Sequence, residues 1–395
     1  MDVFLCGRTA LDVYFLGGEV LGPDFYSRMR RVEVRSLEGC AHTARQVAGC
    51  ELGFLRLLHT GKVDVLVPSR RMCHRSTMVR HHVWSSELPA GAFLWCAPSV
   101  YIASPEFLAL TLADEMDRYS LLQLCMQLCG TYANSLTAPH GMAKHPKLSN
   151  RDRMRTMAEY GAHHPGRNNF IWAARHVMEG AASHTEAGVA LLHTMPWQVG
   201  GFALRAFVLN RRVDYDEPNR QATGADRCYV DLFDEPTGFG WEYQGEEGHS
   251  DVDGAVPYDT VNRARAAGLW GGGAGDPRGG KVGGSSDGDR GGAQGGGSSS
   301  QISEPKILMS YGADQLENDT RKFAALRDLG YDVRPLVWGQ IATVGEFDRV
   351  ARVTAERLGV DIGARHAFSE DPEMLRRRVK LHRGLLLRRF YWERL

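Results

Sequence analysis

CYVDLFDEPTGFGWEYQ, residues 228–244, decides how the rest of the chain is read. Its middle, Glu235-Pro236-Thr237-Gly238, has proline second and glycine fourth, the pattern of a type I turn, and β-branched and aromatic residues flank it on both sides. A hairpin is expected. With the turn centred on the Pro236–Thr237 bond, Leu232 faces Trp241 and Val230 faces Tyr243, which puts all four on the core side of a sheet. The same register sets Asp231 opposite Glu242, and Gln244 joins them because side chains alternate with period two. Like charges opposed across a strand pair destabilise it by a few tenths to about 1 kcal/mol. A divalent cation is the simplest reason to keep them: Mg2+ takes one or two carboxylates and completes its shell with waters and phosphate oxygens, and Mn2+ is the alternative. The other reading is a solvated face on which the two acids tolerate each other.

Upstream of the hairpin the chain reads as three helices from Arg151 and then a strand-rich stretch from Phe202 to Gln244. Downstream, residues 246–305 are dominated by Gly and Ser without hydrophobic periodicity, so they bury too little apolar surface to offset their ordering entropy and are expected to be a disordered insertion. Order is expected to resume with a strand at Lys306–Tyr311, a helix at Asp314–Leu329 stopped by Gly330, a strand at Tyr331–Val337 and a helix at Glu346–Leu358. The first third alternates short strands near Val3–Leu5, Val63–Val67, Thr77–Trp84, Phe93–Trp95 and Val100–Ala103 with helical stretches. These are Ala41–Leu58, one opening at Pro105 and one ending at Gly130. A polar loop from Thr131 to Ser149 follows. The expectation is therefore α/β (α+β), with residues 1–148 as a smaller mixed α/β domain and 149–245 with 306–360 as a mixed sheet flanked by helices. Residues 361–395 are expected to form a basic helical tail.

Bulk properties narrow the function classes little. The chain has 395 residues, 43% of them apolar, enough to bury more than one core. Lysine plus arginine and aspartate plus glutamate both number 47, so nucleic-acid binding would need locally clustered base. No long apolar run and no signal-peptide pattern occur, which leads to the expectation of a cytoplasmic chain with no membrane partner. The 8 cysteines form no CxxC pair; Cys125 and Cys129, one helical turn apart, read as buried structural thiols rather than half a metal site.

Taken in order, Ser183-His184-Thr185-Glu186 on a helix, VDLF at 230–233, WEYQGEEGH at 241–249, a helix with Asp319 and Arg321, and GYDVRPL at 330–336 resemble the very-short-patch-repair-like branch of the PD-(D/E)XK nuclease superfamily. The resemblance covers about Ala181 to Gly359. It implies a restriction-endonuclease-like core in which Glu186, Asp231 and Glu242 hold Mg2+, hydrolysing DNA phosphodiester bonds as an endonuclease of defence, repair or mobile-element type. Gln244 falls where the superfamily has lysine and this branch aspartate; it can orient a water but cannot act as a base. His249 falls near the branch's histidine and would act as an acid or polarise the leaving oxygen.

Glu186 also fits a capping box begun by Ser183. Asp319 reads either as an edge-of-site residue interrupting an apolar stripe between Leu316 and Phe323, or as an early-turn acid suited to the helix dipole. Arg321 and the tail residues Arg376, Arg377, Arg378 and Lys380 are candidates for phosphate contacts, with solvated basic helix ends as the other reading. In the first half, residues 81–116 resemble the abortive-infection type IV antitoxin family, although Leu110-Thr111-Leu112-Ala113 lacks that family's aspartate. A protein partner through this half, or a packing role, follows. The alternative function for the whole chain is a catalytically degenerate nuclease fold that binds DNA as a regulator.

Overall fold

The computed structural model describes residues 1–22, 24–59, 61–135, 141–244, 306–363 and 371–388, with side chains of the helix that begins at Lys306 described from Gln315 onward. His249 and the Gly/Ser-rich stretch lie outside the described residues. Residues 1–245 and 319–395 group into one compact unit and 246–318 into a second.

The chain is mixed α/β. Strands β1 (Val3–Leu5), β2 (Arg30–Val32), β3 (Val63–Val67), β4 (Val79–Val83), β5 (Phe93–Ala97) and β6 (Val100–Ala103) build a six-stranded sheet in the order β2-β5-β6-β1-β3-β4. The unbroken apolar run Val3-Phe4-Leu5 suits β1 to a central place, buried throughout, parallel to β6 and antiparallel to β3. Helix α1 (Gly7–Leu21) leaves β1 directly and contacts β3. The single helix expected over Ala41–Leu58 is instead two short ones, Ala44–Ala48 and Leu55–Leu58, because Gly49 ends the first and Gly53 lies in the turn between them. Helices α2 (Pro105–Thr111) and α3 (Arg118–Leu128) are buried on nearly every side. The polar loop expected from Thr131 contains a two-stranded ribbon, β7 (Tyr132–Asn134) and β8 (Met142–Lys144), since Tyr132 and Ala133 turn into the core.

After α4 (Arg151–Met157), α5 (Arg167–His176) and α6 (His184–Thr194) comes a second sheet. It contains β9 (Val208–Asp214), β10 (Arg227–Asp234), β11 (Phe239–Gln244) and β12 (Asp332–Val337) in the order β12-β11-β10-β9, with only β11 and β12 parallel. A helix not anticipated from sequence, α7 (Glu217–Thr223), sits between β9 and β10, capped by Asp216 with Pro218 in its first turn. Lys306–Tyr311 is not a strand. It is the first part of α8 (Lys306–Asp328), and a short apolar run continuing unbroken into a helical pattern does not distinguish the two states by periodicity. Helices α9 (Val344–Arg357) and α10 (Pro372–Leu385) complete the described chain.

Residues to either side of position 148 share one core. The N–H groups of Leu148 and Ser149 both donate to Leu128 O, Thr131 N–H donates to Ala181 O, and Gln123 Nε2 donates to Leu385 O at 2.7 Å. The tail helix contributes to that core: Leu381, Leu385 and the following Leu386 belong to it, and α10 packs on α6 and α3. No helix among the described residues is long and apolar enough to cross a membrane.

The hairpin at 228–244 has the expected register, with Leu232 paired to Trp241 and Asp234 to Phe239. Its turn closes one residue earlier than the type I pattern: Gly238 N–H donates to Asp234 O at 2.9 Å, and Gly238 takes the left-handed φ of 67°. The buried Asp234 carboxylate accepts from Thr237 and pairs with Arg205 at 2.9 Å, so this acid belongs to the turn. One expectation fails. Leu232 and Trp241 join the main core, but Val230 packs with Cys228, Phe233, Ala325 and Leu326 in a smaller cluster. The alternation breaks at Asp231, and the facing β9 residue, Asn210, has φ of 50°; the pairs on either side keep one register, so the strands bend without an inserted residue.

Candidate active site

The three acids singled out by sequence lie around this bend. Helix α6 opens after Ser183, whose Oγ accepts the Glu186 N–H at 3.2 Å. The Glu186 carboxylate does not complete a capping box on Ser183. It accepts instead from Ala182 N–H at 2.9 Å and from Asn210 Nδ2 at 2.7 Å, and it is buried. The left-handed backbone of Asn210, which asparagine tolerates better than most residues, lets Nδ2 also donate to Gly180 O at 2.9 Å. Strand β9 and helix α6 are thus tied together through the glutamate.

Asp231 and Glu242 face each other across the hairpin where its regular ladder stops. Tyr243 N–H donates to Asp231 Oδ2 at 2.7 Å, and Asp231 N–H donates to Glu242 Oε2 at 3.4 Å. Carboxylates here take the place of ladder carbonyls, which holds the two strands apart. Both acids are half-buried, and no described residue donates a hydrogen bond to Asp231 Oδ1. From α8, Lys322 forms an ion pair with Glu242 and donates to Tyr229 O at 2.7 Å. Gln244 Nε2 donates to Asp319 Oδ2 at 3.2 Å.

The acids also act on one another through their charges. Burial pushes the Asp231 carboxyl well above the usual carboxylate range, and the charges of Glu186 and Glu242 push it further. Burial also raises Glu186, with Glu242 adding to the shift, while the hydrogen bonds from Ala182 and Asn210 act the other way. Glu242 is raised by burial in spite of Lys322, with Asp319 contributing. Three carboxylates against one ammonium leave an excess of two negative charges when all are ionised. An all-oxygen donor set with that excess fits a hard divalent cation in charge and in ligand chemistry. As they stand, no three or more His, Cys, Asp or Glu side chains are gathered to hold a metal ion among the described residues. Glu242 is engaged by Lys322 and Glu186 by Asn210, so holding a cation requires Glu242 to exchange its lysine partner.

The other candidates separate. Asp319 comes to the edge of the acid cluster, but not by interrupting an apolar stripe, because Leu316 is exposed. Arg321 is exposed on α8 next to Lys322. Arg378 is not available for phosphate: it is 4% exposed, pairs with Asp348 at 3.1 Å, donates to Gly200 O and lies over the Phe202 ring at 4.2 Å. Its place is inside the core because α10 turns that face toward α9. Arg377 pairs with Glu373 and donates to Gln198 O. Arg376 and Lys380 are exposed. Cys125 and Cys129 are fully buried, and burial pushes the Cys125 thiol up to about 12.

Two site residues escaped the sequence reading. Lys322 stands three residues after Asp319, a helical spacing that puts both on one face, and that spacing was the available signal. Asn210 gave only the weaker cue of an asparagine within a strand. No protein family, curated protein or solved structure matches this chain.

Proposed function

We propose that the chain is a metal-dependent endonuclease that hydrolyses DNA phosphodiester bonds on a restriction-endonuclease-like core, with Glu186, Asp231 and Glu242 as its acids. The observation that carries this reading is that Asp231 and Glu242 face each other at the bend where Asn210 holds Glu186, with the charges of Glu186 and Glu242 raising the proton affinity of Asp231 and Lys322 paired to Glu242. Mutual repulsion of buried acids is costly, and a site that binds a divalent cation is the economical account of it. Mg2+ or Mn2+ held by Asp231, Glu242 and Glu186 would supply a Lewis acid for a phosphoryl oxygen and a bound water of lowered pKa.

The chain's own residues do the rest. Asn210 and Ala182 fix the Glu186 carboxylate by two hydrogen bonds, so it needs little reorganisation on binding. Lys322, released from Glu242, keeps its carbonyl anchor on Tyr229 and presents a positive charge to a phosphate or to a developing oxyanion. Gln244 carries no charge, and Lys322 supplies from the helix the cation that the strand lacks. The Gln244 amide, held by Asp319, can orient a water.

Supercoiled plasmid incubated with MgCl2 tests this reading. Nicking is expected from the natural protein, loss of at least about 100-fold from the isosteric Asp231→Asn, and none in EDTA. Nicking by Asp231→Asn at the natural rate would remove the assignment. The engagement of Glu242 by Lys322 favours one second reading, a degenerate nuclease fold that binds DNA without cutting it. A gel shift with no cleavage under any divalent cation would select that reading.

A further inference from the structure

Far along the chain from the acids, α10 and the first turn of α3 enclose a groove of about 680 Å3. Arg376, Lys380 and Arg383 line it from α10 and Arg118 from α3. The α10 residues recur at steps of four and three, so they form one stripe along the helix. None of these three makes an ion pair with a described residue. Arg388, at the end of the groove, neutralises Asp117, the acid that caps α3. Arg118 lies over the rings of Tyr119 and Trp172 rather than against a carboxylate.

In a chain whose basic and acidic residues number 47 each, four unpaired cations in one concavity are a local excess. Like charges at such helical spacing destabilise the helix that bears them. A polyanion with regularly spaced charge relieves that repulsion at every position. We propose that this groove is a binding track for the phosphate backbone of a nucleic acid. The proposal deepens the nuclease reading by naming where the substrate is held, and it rests on that reading for its purpose. A nucleic-acid strand fits better than a lipid surface because the cations line a recess rather than a convex face. The recess is walled by the Tyr119 ring and the stems of Leu375 and Val379, against which a sugar or base can pack.

Binding is measured by fluorescence anisotropy in EDTA, where no cleavage is needed, with single-stranded and duplex oligonucleotides from 50 to 200 mM salt. The full chain carrying Arg376→Glu, Lys380→Glu and Arg383→Glu is compared with a surface control of equal charge change, Arg71→Glu, Arg153→Glu and Arg155→Glu. The groove variant is expected to bind at least about 30-fold more weakly at low salt, with the slope of log K against log salt shallower by about two to three. The control is expected to stay within about twofold. Should the charge reversals unfold the helix, Arg376→Gln with Lys380→Gln is measured instead, with a slope change of about one to two expected. Unchanged affinity and slope in the groove variants, equal loss in the control, or binding to anionic phosphatidylserine vesicles but to neither oligonucleotide overturns the proposal. Retained binding with no plasmid cleavage leaves the groove standing and removes the nuclease reading alone.

Discussion

At Asp231 the protein holds a carboxyl that resists ionisation, and the consequence for stability has a definite sign. A folded-state pKa raised above the unfolded value means that the folded chain binds more protons between the two, so stability falls as pH rises through that window. The penalty is absent below the ordinary carboxylate range and fully present above the raised value. Glu186 and Glu242 shift the same way. The metal-free protein is therefore expected to lose thermal stability as pH rises above the ordinary carboxylate range. Lys322→Met should steepen that loss, because it removes the charge that pairs with Glu242. Saturating Mg2+ should flatten the profile in both proteins and should bind Lys322→Met at least as tightly, since Glu242 no longer has to exchange a partner. Melting curves by circular dichroism across pH check all three; a profile in which Mg2+ has no effect at pH 8 would count against the cation. The facing of Asp231 and Glu242 was legible in sequence because hairpin register follows from turn chemistry, whereas Glu186 was singled out by the resemblance alone. Lys322 was not, because its contact to Glu242 spans 80 residues, most of them outside any periodic pattern.

The second sheet works as a platform through one bend. Two strands reverse their alternation at the facing pair Asn210 and Asp231, which brings a strand acid into reach of a helix acid. Strand irregularities of this sort cluster at sites because they re-aim side chains. Asn210 has two tasks there, a left-handed backbone and a donor to Glu186, and two substitutions separate them. Asn210→Gly keeps the backbone permissive and removes the amide; it is expected to cost about 1–2 kcal/mol at pH 8 and less at pH 5, since the raised Glu186 carboxyl carries less charge at the lower pH. Asn210→Val adds backbone strain at both pH values and should cost about 1–3 kcal/mol more. Urea unfolding at the two pH values measures this, and equal losses for both variants would mean that the bend does not depend on the residue. The bend also explains why Val230 was misplaced from sequence. Period-two reasoning carries a face along a strand only while the backbone stays extended, and nothing in Val230-Asp231-Leu232 announces the reversal. The helix at Lys306 was missed for a different reason, since a short, largely apolar stretch such as Ile307-Leu308-Met309 looks alike in both states.

On the scale of the whole molecule, the residues to either side of the expected boundary at 148 are bound by a shared interior. Gln123 and Leu385, 262 positions apart, are joined by a hydrogen bond, and Cys129 and Thr131, just after α3, exchange backbone bonds with Gly180 and Ala181, just before α6. Residues 149–395 produced alone are expected to lack a cooperative melting transition and near-ultraviolet dichroism, because they expose the face that covers α3. A sharp transition at the temperature of the full chain would show that the second sheet folds by itself. The same interior seats the end of α10 against α6: a Cβ added at Gly188 would come within 2.6 Å of Leu386 Cδ2 and 2.8 Å of Leu385 O. The helix bearing Glu186 is thus packed in part by residues that follow it by almost 200 positions. Truncation before residue 385 is expected to uncover that face of α6 and to lower the melting temperature relative to the full chain.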